Sequence, residues 1–447
     1  MTEKIEYKGY WFLPNKKEKA VAGVLTYTPK VSIVLELIGS FYENYSEIFS
    51  DNNGEDVVHG FTSDAKNITL LSCFPSSSLN FSSSFPITEY SCQYLIVGKH
   101  INSLDDPSFY KARVLFPQLT YWCLPRAIRS VESNDKEENI KTITISFDHY
   151  YNTNKDTISE TQIDENTHLY LKKGVDYNNS NFFLTPKIEQ YTCLEIHKQK
   201  DSSIADYLSD IFLYEQFLSL ATLETVECSE IILYDRNSFQ EFKEGLRRYD
   251  KIELIYIQNN DPGNYVATKR HNYLFIFDTI KEQYCQIIKK WYAEKDEIAP
   301  IRAHLIESIK HKGIFSSVDF LIVVQALEGF CIRFRNEDTF TNMLQNIVSE
   351  FSVIDKLKKD HICIKEIVDS RHYYSHFMKK SKKKHILDGL ELYDLTHNLR
   401  KILICCLLHF IGFEYSQINE IFNKCNSNLL SNRTVFLKNK KRIDGCE

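Results

Sequence analysis

Apolar and polar residues alternate along much of about the first 190 residues, a pattern typical of strands with one buried face. In residues 31–37 every second position is apolar, with Val31, Ile33, Leu35 and Leu37 predicted to point the same way. Segments 21–28, 68–74 and 143–147 repeat the alternation. Glycine, asparagine and proline residues separate these segments and predict turns. Two acid-rich polar stretches are predicted to be exposed loops: 132–139 and 156–166.

The spacing of apolar residues then changes to that of an amphipathic helix. From Ile204 through Phe212 to Leu218, apolar residues recur at i, i+3, i+4 and i+7, which predicts one helix near 202–224. Short strands are predicted at 231–234 and 252–257. From about Phe275 the chain is nearly all helical in pattern. Six segments are predicted to be helices: 277–291, 320–334, 339–355, 357–368, 386–410 and 415–424.

Several amphipathic helices joined by short polar links predict a helical bundle. The expected fold class is therefore α+β, with a β-rich N-terminal region followed by a C-terminal all-α bundle. We place the β-rich region at 1–295, with the helix near 202–224 inserted in it. The bundle is placed at 296–430, and a basic tail at 431–447. A chain of 447 residues has room for two or three domains.

Composition describes a folded protein, with 43% hydrophobic and 13% aromatic residues. Lys plus Arg number 54 and Asp plus Glu 60, for a net charge of −6. A surface that is basic throughout is therefore excluded, whereas a local basic patch is not. The 12 cysteines include no CxxC pair and indicate neither a zinc ribbon nor a disulfide framework. Buried reduced thiols are expected instead.

The sequence also predicts the compartment. The first seven residues contain no apolar signal core. The longest apolar stretch, 402–413, is interrupted by His409 and is too short to span a bilayer. Reduced cysteines agree with the reducing cytoplasm. We therefore expect a soluble cytoplasmic protein without a membrane partner.

Residues 371–376, which read Arg-His-Tyr-Tyr-Ser-His, are the strongest candidates for chemistry. Between Arg371 and His385 the chain has six Lys or Arg residues and no Asp or Glu. A polyanion is the natural partner of such uncompensated local charge, because each phosphate contact releases counterions. The lysines of this run are predicted to bind RNA: Lys379, Lys380, Lys382, Lys383 and Lys384.

Arg371 and His376 together could cleave RNA without a metal or cofactor. Arginine is a permanent planar cation suited to phosphate oxygens, and histidine takes or gives a proton near neutral pH. RNA supplies its own nucleophile, the 2′-hydroxyl. A base for that hydroxyl, an acid for the leaving oxygen and a cation for the transition-state phosphate complete the reaction.

The spacing of this pair limits how the two side chains can meet. Five residues of an ideal helix turn through about 500°, which leaves the side chains roughly 140° apart. One solution places the pair at a helix start, with Asp369 or Ser370 as the N-cap, where the backbone departs from ideal geometry. The other solution pairs this face with its copy in a second subunit across a two-fold axis.

Two other interpretations of residues 371–376 compete with catalysis. Arginine, histidine and lysine at a helix end are most often a solvated surface. His372 and His376 have the HxxxH spacing of a metal site, but no glutamate follows His372 and no third ligand is evident, so no metal is predicted.

Glu328 has no cation at helical spacing on its own helix and must find a partner elsewhere or have a raised pKa. We predict that Glu328 orients Arg371 within the catalytic group.

With these residues identified, the chain resembles a known family. Residues 371–376 match the R-x4-H pattern of HEPN ribonucleases, with a polar residue, His372, directly after the arginine. Residues 320–330 resemble the helix upstream of that pattern in ApeA-like HEPN domains. Six further segments resemble the N-terminal domain of the same family: 9–14, 23–27, 35–39, 59–62, 68–71 and 116–122.

The resemblance implies a bacterial anti-phage protein that acts by abortive infection. Its HEPN domain would be a metal-independent endoribonuclease that cleaves cellular RNA, with tRNA as the expected substrate. Arg371 would steady the transition-state phosphate and His376 would be the general acid and base. His372 stands where asparagine is more usual in the family, which leaves its role open. HEPN sites are commonly shared between two subunits, which implies a homodimer or higher homo-oligomer. The β-rich region would sense a trigger, such as a phage-encoded molecule.

Two other function classes compete with the nuclease. The first is a non-catalytic protein that uses the HEPN bundle for RNA binding or dimerisation. The second is a nucleotide-transferring toxin–antitoxin partner, which would need a nucleotidyltransferase motif that the sequence lacks. The intact pair of Arg371 and His376 favours the nuclease over both.

Overall fold

A computed structural model gives the fold of the chain. It describes residues 4–29, 31–42, 54–76, 87–125, 128–134, 140–147, 156–178, 187–242, 247–257, 269–310, 317–335, 339–358, 362–379 and 384–430. The internal contacts divide the chain into two compact units. The first unit comprises Met1–Phe212 and Glu227–Val266, and the second comprises Leu213–Val226 and Ala267–Glu447.

Six strands of the first unit close into a ring. They are β1 (Ile5–Phe12), β2 (Val21–Thr28), β3 (Ser32–Ile38), β4 (Glu55–Thr62), β5 (Asn67–Pro75) and β6 (Ile87–Val97). Their order is β6-β3-β2-β1-β4-β5, and a further pairing of β5 with β6 completes the ring. Every neighbouring pair is antiparallel. Closure gives each of the six strands a partner on both sides.

The alternation predicted for β3 is confirmed over most of its length. Ile33, Leu35 and Leu37 are fully buried and belong to the hydrophobic core of the ring. The prediction is wrong for Val31, which is 71% exposed. Val31 lies in the turn between β2 and β3, where its amide donates to the carbonyl of Thr28, so it does not follow the pleat of the strand.

Six more strands extend the sheet from β6 to its far edge. They are β7 (Phe109–Leu115), β10 (Thr157–Gln162), β11 (Thr167–Asn178), β12 (Lys187–Ser202), β13 (Glu230–Tyr234) and β16 (Ile252–Tyr256). Outward from β6 their order is β16-β13-β7-β12-β11-β10. A short helix α1 (Pro117–Cys123) follows β7, and two separate hairpins pair β8 (Ile128–Asn134) with β9 (Ile140–Phe147) and β14 (Phe239–Glu241) with β15 (Arg247–Tyr249).

The two acid-rich stretches predicted to be loops are partly strands. Strand β10 occupies most of 156–166, and the stretch 132–139 begins inside β8, while its residues 135–139 lie outside the described part. Strand β10 forms the edge of the sheet, so most of its polar side chains reach solvent while its backbone pairs with β11. A polar composition therefore concealed an edge strand.

Two histidines stack inside the first unit. The rings of His59 and His100 lie 4.5 Å apart at 10° to one another. Nε2 of His59 is 2.8 Å from the carbonyl oxygen of Ile101, and Nε2 of His100 is 3.0 Å from that of Gly60. Because a carbonyl oxygen only accepts, Nε2 of each ring carries a proton. Burial lowers the pKa of His100, and the nearby His59 adds to the effect, against the opposing hydrogen bond to Gly60.

We expect the free energy of unfolding to fall as the pH drops from about 7.5 to about 5.5. The folded pKa of His100 lies below its unfolded value of about 6.5, so the unfolded chain binds more protons between the two. The stabilisation is complete above the unfolded pKa and is lost as the pH falls through the folded one. Urea unfolding at the two pH values measures it. His100→Gln should show a smaller pH dependence, and an equal dependence in both proteins would contradict the assignment.

The second unit is helical. Helix α2 (Ile204–Thr222) has its residues 204–212 in the first unit and the remainder in the second. The other helices are α3 (Phe277–Ile280), α4 (Tyr284–Ala293), α5 (Ala299–Lys310), α6 (Ser317–Phe334), α7 (Phe340–Phe351), α8 (Asp355–Lys358), α9 (Ile364–His376), α10 (Gly389–Phe410) and α11 (Tyr415–Lys424). This helical region confirms the predicted α+β fold class.

Most of the predicted helices are present, with several differences. The segment predicted as one helix at 277–291 is divided between α3 and α4, and α5 was not predicted. The segment predicted as one helix at 357–368 is divided, since α8 ends at Lys358 and α9 begins at Ile364 and continues to His376. Phe212, predicted to lie on the apolar stripe of α2, is 57% exposed, whereas Ile211 and Leu213 are buried, so Phe212 lies on the solvent side of the helix.

A buried ion pair joins three helices of the second unit. Arg400 of α10 donates from Nη2 to Asp319 of α6 at 2.5 Å and from Nε to the hydroxyl of Ser308 in α5 at 2.7 Å. The same hydroxyl donates to the other carboxylate oxygen of Asp319 at 2.6 Å. The side chains of Arg400 and Asp319 are 1% and 4% exposed. Burial lowers the pKa of Arg400, and Asp319 opposes that shift. The network fixes α6 relative to α5 and α10.

Three predictions concern the domain boundary, the state of the cysteines and membrane-spanning helices. The predicted boundary at 295/296 falls between α4 and α5 and stays a prediction. Of the eleven described cysteines, all free thiols, ten are buried, as expected for reduced core residues. Among the helices in the described ranges, none has the length and apolarity needed to cross a membrane.

Candidate active site

Helix α9 carries the whole 371–376 segment in its last turn and a half. The prediction that Asp369 or Ser370 caps the start of a helix is wrong, because α9 begins at Ile364 and both residues lie inside it. Their side chains bind the chain that returns after the helix rather than the helix's own start. The candidate residues therefore stand at a helix C-terminus, which by itself does not attract phosphate.

Three hydrogen bonds hold residues 385–387, which follow the basic run, against α9. The amide of His385 donates to Asp369 at 3.3 Å, and the amide of Leu387 donates to the hydroxyl of Ser370 at 3.0 Å. The hydroxyl of Tyr374 donates to the carbonyl oxygen of Leu387 at 3.0 Å. Lys384, directly before His385, is thereby held close to α9.

Arg371 is held by an acid from another helix. Its Nη2 donates to both carboxylate oxygens of Glu328 in α6, at 3.0 Å and 2.7 Å. The two side chains are 25% and 21% exposed, so the ion pair is half-buried. The pairing predicted from the missing partner of Glu328 is thus present. Because Glu328 binds Nη2 alone, the N–H groups of Nε and Nη1 stay outside this ion pair.

An aromatic ring fixes one face of the same guanidinium. The central carbon of the Arg371 guanidinium lies 4.6 Å from the ring centre of Phe340, the first residue of α7. Such stacking is a cation–π contact, and it orients the plane of the group. Glu328 and Phe340 together leave little freedom to Arg371. No sequence signal pointed to Phe340, because its contact with Arg371 joins residues far apart in the chain.

The two histidines of the segment lie on a neighbouring side of α9. The rings of His372 and His376 are 5.9 Å apart, as expected for residues four apart in a helix. His376 is exposed and His372 is half-buried. Across the described residues no hydrogen bond or ring contact joins Arg371 to His376, in agreement with their angular separation on a helix. One chain therefore presents the cation and the histidine in different directions.

The remaining predicted residues divide between described and undescribed positions. Lys379 and Lys384 are exposed, whereas Lys380, Lys382 and Lys383 lie outside the described residues. Within the described ranges, no three His, Cys, Asp or Glu side chains converge as metal ligands. His372 and His376 would supply two ligands at most.

Fold and site together define the class of the protein. A β-rich unit is joined to a helical unit in which an arginine and a histidine, five positions apart, end a helix, and an acid from a second helix binds the arginine. This is the organisation of a HEPN protein with a β-rich N-terminal domain.

Comparison with protein families identifies the family. The family model for ApeA N-terminal domain 1 matches residues 6–291, and the model for the Apea-like HEPN domain matches residues 321–417. The chain therefore belongs to the ApeA-like HEPN family, an anti-phage family. HEPN domains are generally ribonucleases, and they typically bind RNA and dimerise. The second match contains both Glu328 and residues 371–376. Comparisons with curated proteins and with solved structures find no match.

Proposed function

We propose that this protein is a metal-independent endoribonuclease that cleaves RNA, tRNA foremost, during abortive infection by phage. One observation carries the proposal: Arg371 is oriented by Glu328 and Phe340 at the end of a helix whose last residue is the exposed His376. Glu328 binds only Nη2 of Arg371, and Phe340 covers one face of the guanidinium. The N–H groups of Nε and Nη1 can therefore donate to a phosphate oxygen. An exposed histidine is accessible for proton transfer.

The proposed reaction uses the nucleophile within RNA. A neutral imidazole takes the proton of the 2′-hydroxyl, and the 2′-oxygen forms a bond to phosphorus while the bond to the 5′-oxygen breaks. A protonated imidazole gives its proton to the departing 5′-oxygen. Arg371 binds the non-bridging oxygens as negative charge accumulates on them. The products are a 2′,3′-cyclic phosphate and a 5′-hydroxyl.

The reaction needs two chains in this proposal. On one helix Arg371 and His376 point roughly 140° apart, so both cannot face a single phosphate. A two-fold axis beside the C-terminus of α9 would place Arg371 of one subunit near the partner copy's equivalent of His376. Each of the two sites would then contain one arginine and one histidine, and that histidine would act first as base and then as acid. A homodimer or higher homo-oligomer through the HEPN bundle follows from this arrangement.

The other predicted residues have supporting roles in the proposal. Glu328 is a positioning residue for Arg371, and His372 occupies the polar place beside it. Lys379 and Lys384 would contact the RNA backbone on either side of the site, together with the other lysines of the run. The β-rich unit would detect a phage-encoded trigger in the cytoplasm and release the nuclease.

The proposal predicts RNA cleavage without divalent metal. Protein purified from infected cells should cut tRNA in excess EDTA and leave 2′,3′-cyclic phosphate and 5′-hydroxyl ends. Sequencing of the RNA ends, with and without phosphatase treatment, identifies these products. Cleavage that requires added Mg²⁺, or that leaves 5′-phosphate ends, would contradict the mechanism.

The alternative is a non-catalytic HEPN protein that holds RNA or dimerises. The exposed Lys379 and Lys384 favour it, because they would bind RNA without any chemistry. Equal phage protection by the wild type and His376→Ala would support this alternative over the nuclease.

A further inference from the structure

Phe377 stands apart from the other apolar residues of the described chain. Its side chain is 92% exposed, more than that of any other large hydrophobic residue there. It directly follows His376, the proposed acid and base. The ring is therefore exposed to solvent next to the proposed site of chemistry, although single exposed apolar residues are common elsewhere on proteins.

The backbone of Phe377 is unfavourable for its side chain. Phe377 closes α9 in the left-handed conformation, with φ 49° and ψ 39°. Glycine is the usual residue at such a helix end, and a bulky side chain there is an outlier. The chain places a glycine, Gly412, at positive φ just after α10, whereas Leu124 and Leu223 take positive φ just after α1 and α2 and are much less exposed than Phe377. Backbone strain is found more often at functional sites than elsewhere, and Phe377 combines it with exposure and with a position next to His376.

Exposed cations lie close to Phe377 in the sequence. Lys379, two residues after Phe377, is exposed. Lys384 is also exposed, and the amide of the next residue, His385, donates a hydrogen bond to Asp369 of α9. Residues 371–385 contain no acid, and Glu328, the acid that contacts this segment from α6, is paired with Arg371. An aromatic ring among cations is how proteins bind single-stranded nucleic acid, with bases stacked on rings and phosphates bound by lysine or arginine.

We propose that Phe377 is a stacking platform for an unpaired nucleobase next to the phosphate that Arg371 and His376 cleave. The substrate class is then single-stranded or looped RNA rather than duplex RNA. Paired bases are stacked on their neighbours and do not reach a protein ring, whereas an unpaired base can turn outward onto it. The inference rests on the proposed ribonuclease function and assigns a specificity residue to it.

The test measures RNA binding apart from cleavage. His376→Ala serves as an inactive parent, and Phe377→Ala and Phe377→Trp are made in that background. The probes are a labelled unstructured RNA of about 12 nucleotides, within the usual range of site sizes, and a blunt duplex of the same sequence. Phe377→Ala should weaken binding of the single strand about 5- to 100-fold and leave the duplex unchanged. Phe377→Trp should keep the affinity of the parent.

A stability measurement separates stacking from a structural role. Phe377→Gly removes the backbone strain, so it should raise the melting temperature by roughly 2–4 °C. The same variant should bind the single strand as weakly as Phe377→Ala. A ring that served the fold would produce the reverse result, with a lower melting temperature and unchanged RNA affinity.

Two results would overturn the inference. In the first, Phe377→Ala binds the single strand as tightly as its parent. In the second, Phe377→Ala becomes monomeric in size-exclusion chromatography where the parent is an oligomer, and its RNA affinity is unchanged, which would make Phe377 a contact between copies. Wild-type cleavage in EDTA is measured separately. A wild type that does not cleave, but binds through Phe377, would refute the nuclease and leave the platform standing.

Discussion

Alanine at Arg371 or at His376 is expected to lower the rate of RNA cleavage by about 100- to 10,000-fold. In the proposed mechanism, loss of Arg371 removes the cation that stabilises the phosphate as charge accumulates. Loss of His376 removes the group that moves protons to and from the ribose oxygens. Initial rates on tRNA, at equal protein concentration and saturating substrate, measure both effects on kcat.

Two variants serve as matched comparisons for these losses. Arg371→Lys keeps the charge but loses the planar fork that Glu328 and Phe340 hold, so it should stay severely impaired. His385→Ala removes another histidine of the same basic segment, whose described hydrogen bond to Asp369 uses only the backbone amide. Its cleavage rate should remain close to that of the wild type. If His376→Ala and His385→Ala cleaved at the same rate, the role of His376 would be refuted.

Alanine at Arg400 is expected to lower the free energy of unfolding by about 3–5 kcal/mol. The substitution leaves the carboxylate of Asp319, 4% exposed, buried without its cation. Arg400→Met combined with Asp319→Leu should recover most of the loss, because a packed apolar pair often replaces a buried ion pair without cost. Urea unfolding of the full-length chain measures the three free energies.

A more exposed ion pair of the same unit is the control. Arg335 pairs with Glu350 at 2.7 Å, with side-chain exposures of 31% and 19%. Burial opposes ionisation of Glu350, but hydrogen bonds from Arg335 and Tyr415 outweigh it and lower the pKa of Glu350. Arg335→Ala should lower the free energy of unfolding by no more than about 1 kcal/mol. An Arg400→Ala loss as small as this would contradict the role given to the buried network.

The fold was predictable from sequence wherever one face of an element is buried. Ile33, Leu35 and Leu37 occupy every second position of β3, and that spacing alone placed them in a core. The pattern does not reveal which strands are neighbours, so closure of the six-stranded ring was not predicted. It also does not reveal an edge strand such as Thr157–Gln162, whose side chains are mostly polar because they face solvent.

The start of α9 was misplaced for a related reason. Asp369 and Ser370 are common N-cap residues, and the local sequence gave no sign that their side chains bind residues 385–387 instead. The hydrogen bonds to residues 385–387 therefore outweigh the local preference of Asp369 and Ser370 for an N-cap position. The correction moves the candidate site from a helix start to a helix end and leaves the two-fold arrangement as the remaining way to join Arg371 and His376.

The candidate site was predictable only in part. The residue types and spacing of Arg371 and His376 made them candidates for catalysis, and the pairing of Glu328 was predicted because its own helix offered no cation. Phe340 was missed because its stacking on Arg371 depends on how two distant helices pack. Phe377 was missed because neither exposure nor a left-handed backbone is visible in the order of residue types.

The cleavage rate of mixed subunits tests the central claim most directly. Arg371→Ala and His376→Ala chains, tagged differently and produced in the same cells, form mixed oligomers that two-step purification isolates. If each site takes Arg371 from one subunit and His376 from the other, one site of a mixed dimer is intact. Each variant alone should then be inactive, and the purified mixed dimer should cleave RNA at up to about half the wild-type rate. A mixed dimer as inactive as its parents would contradict a site shared between two chains.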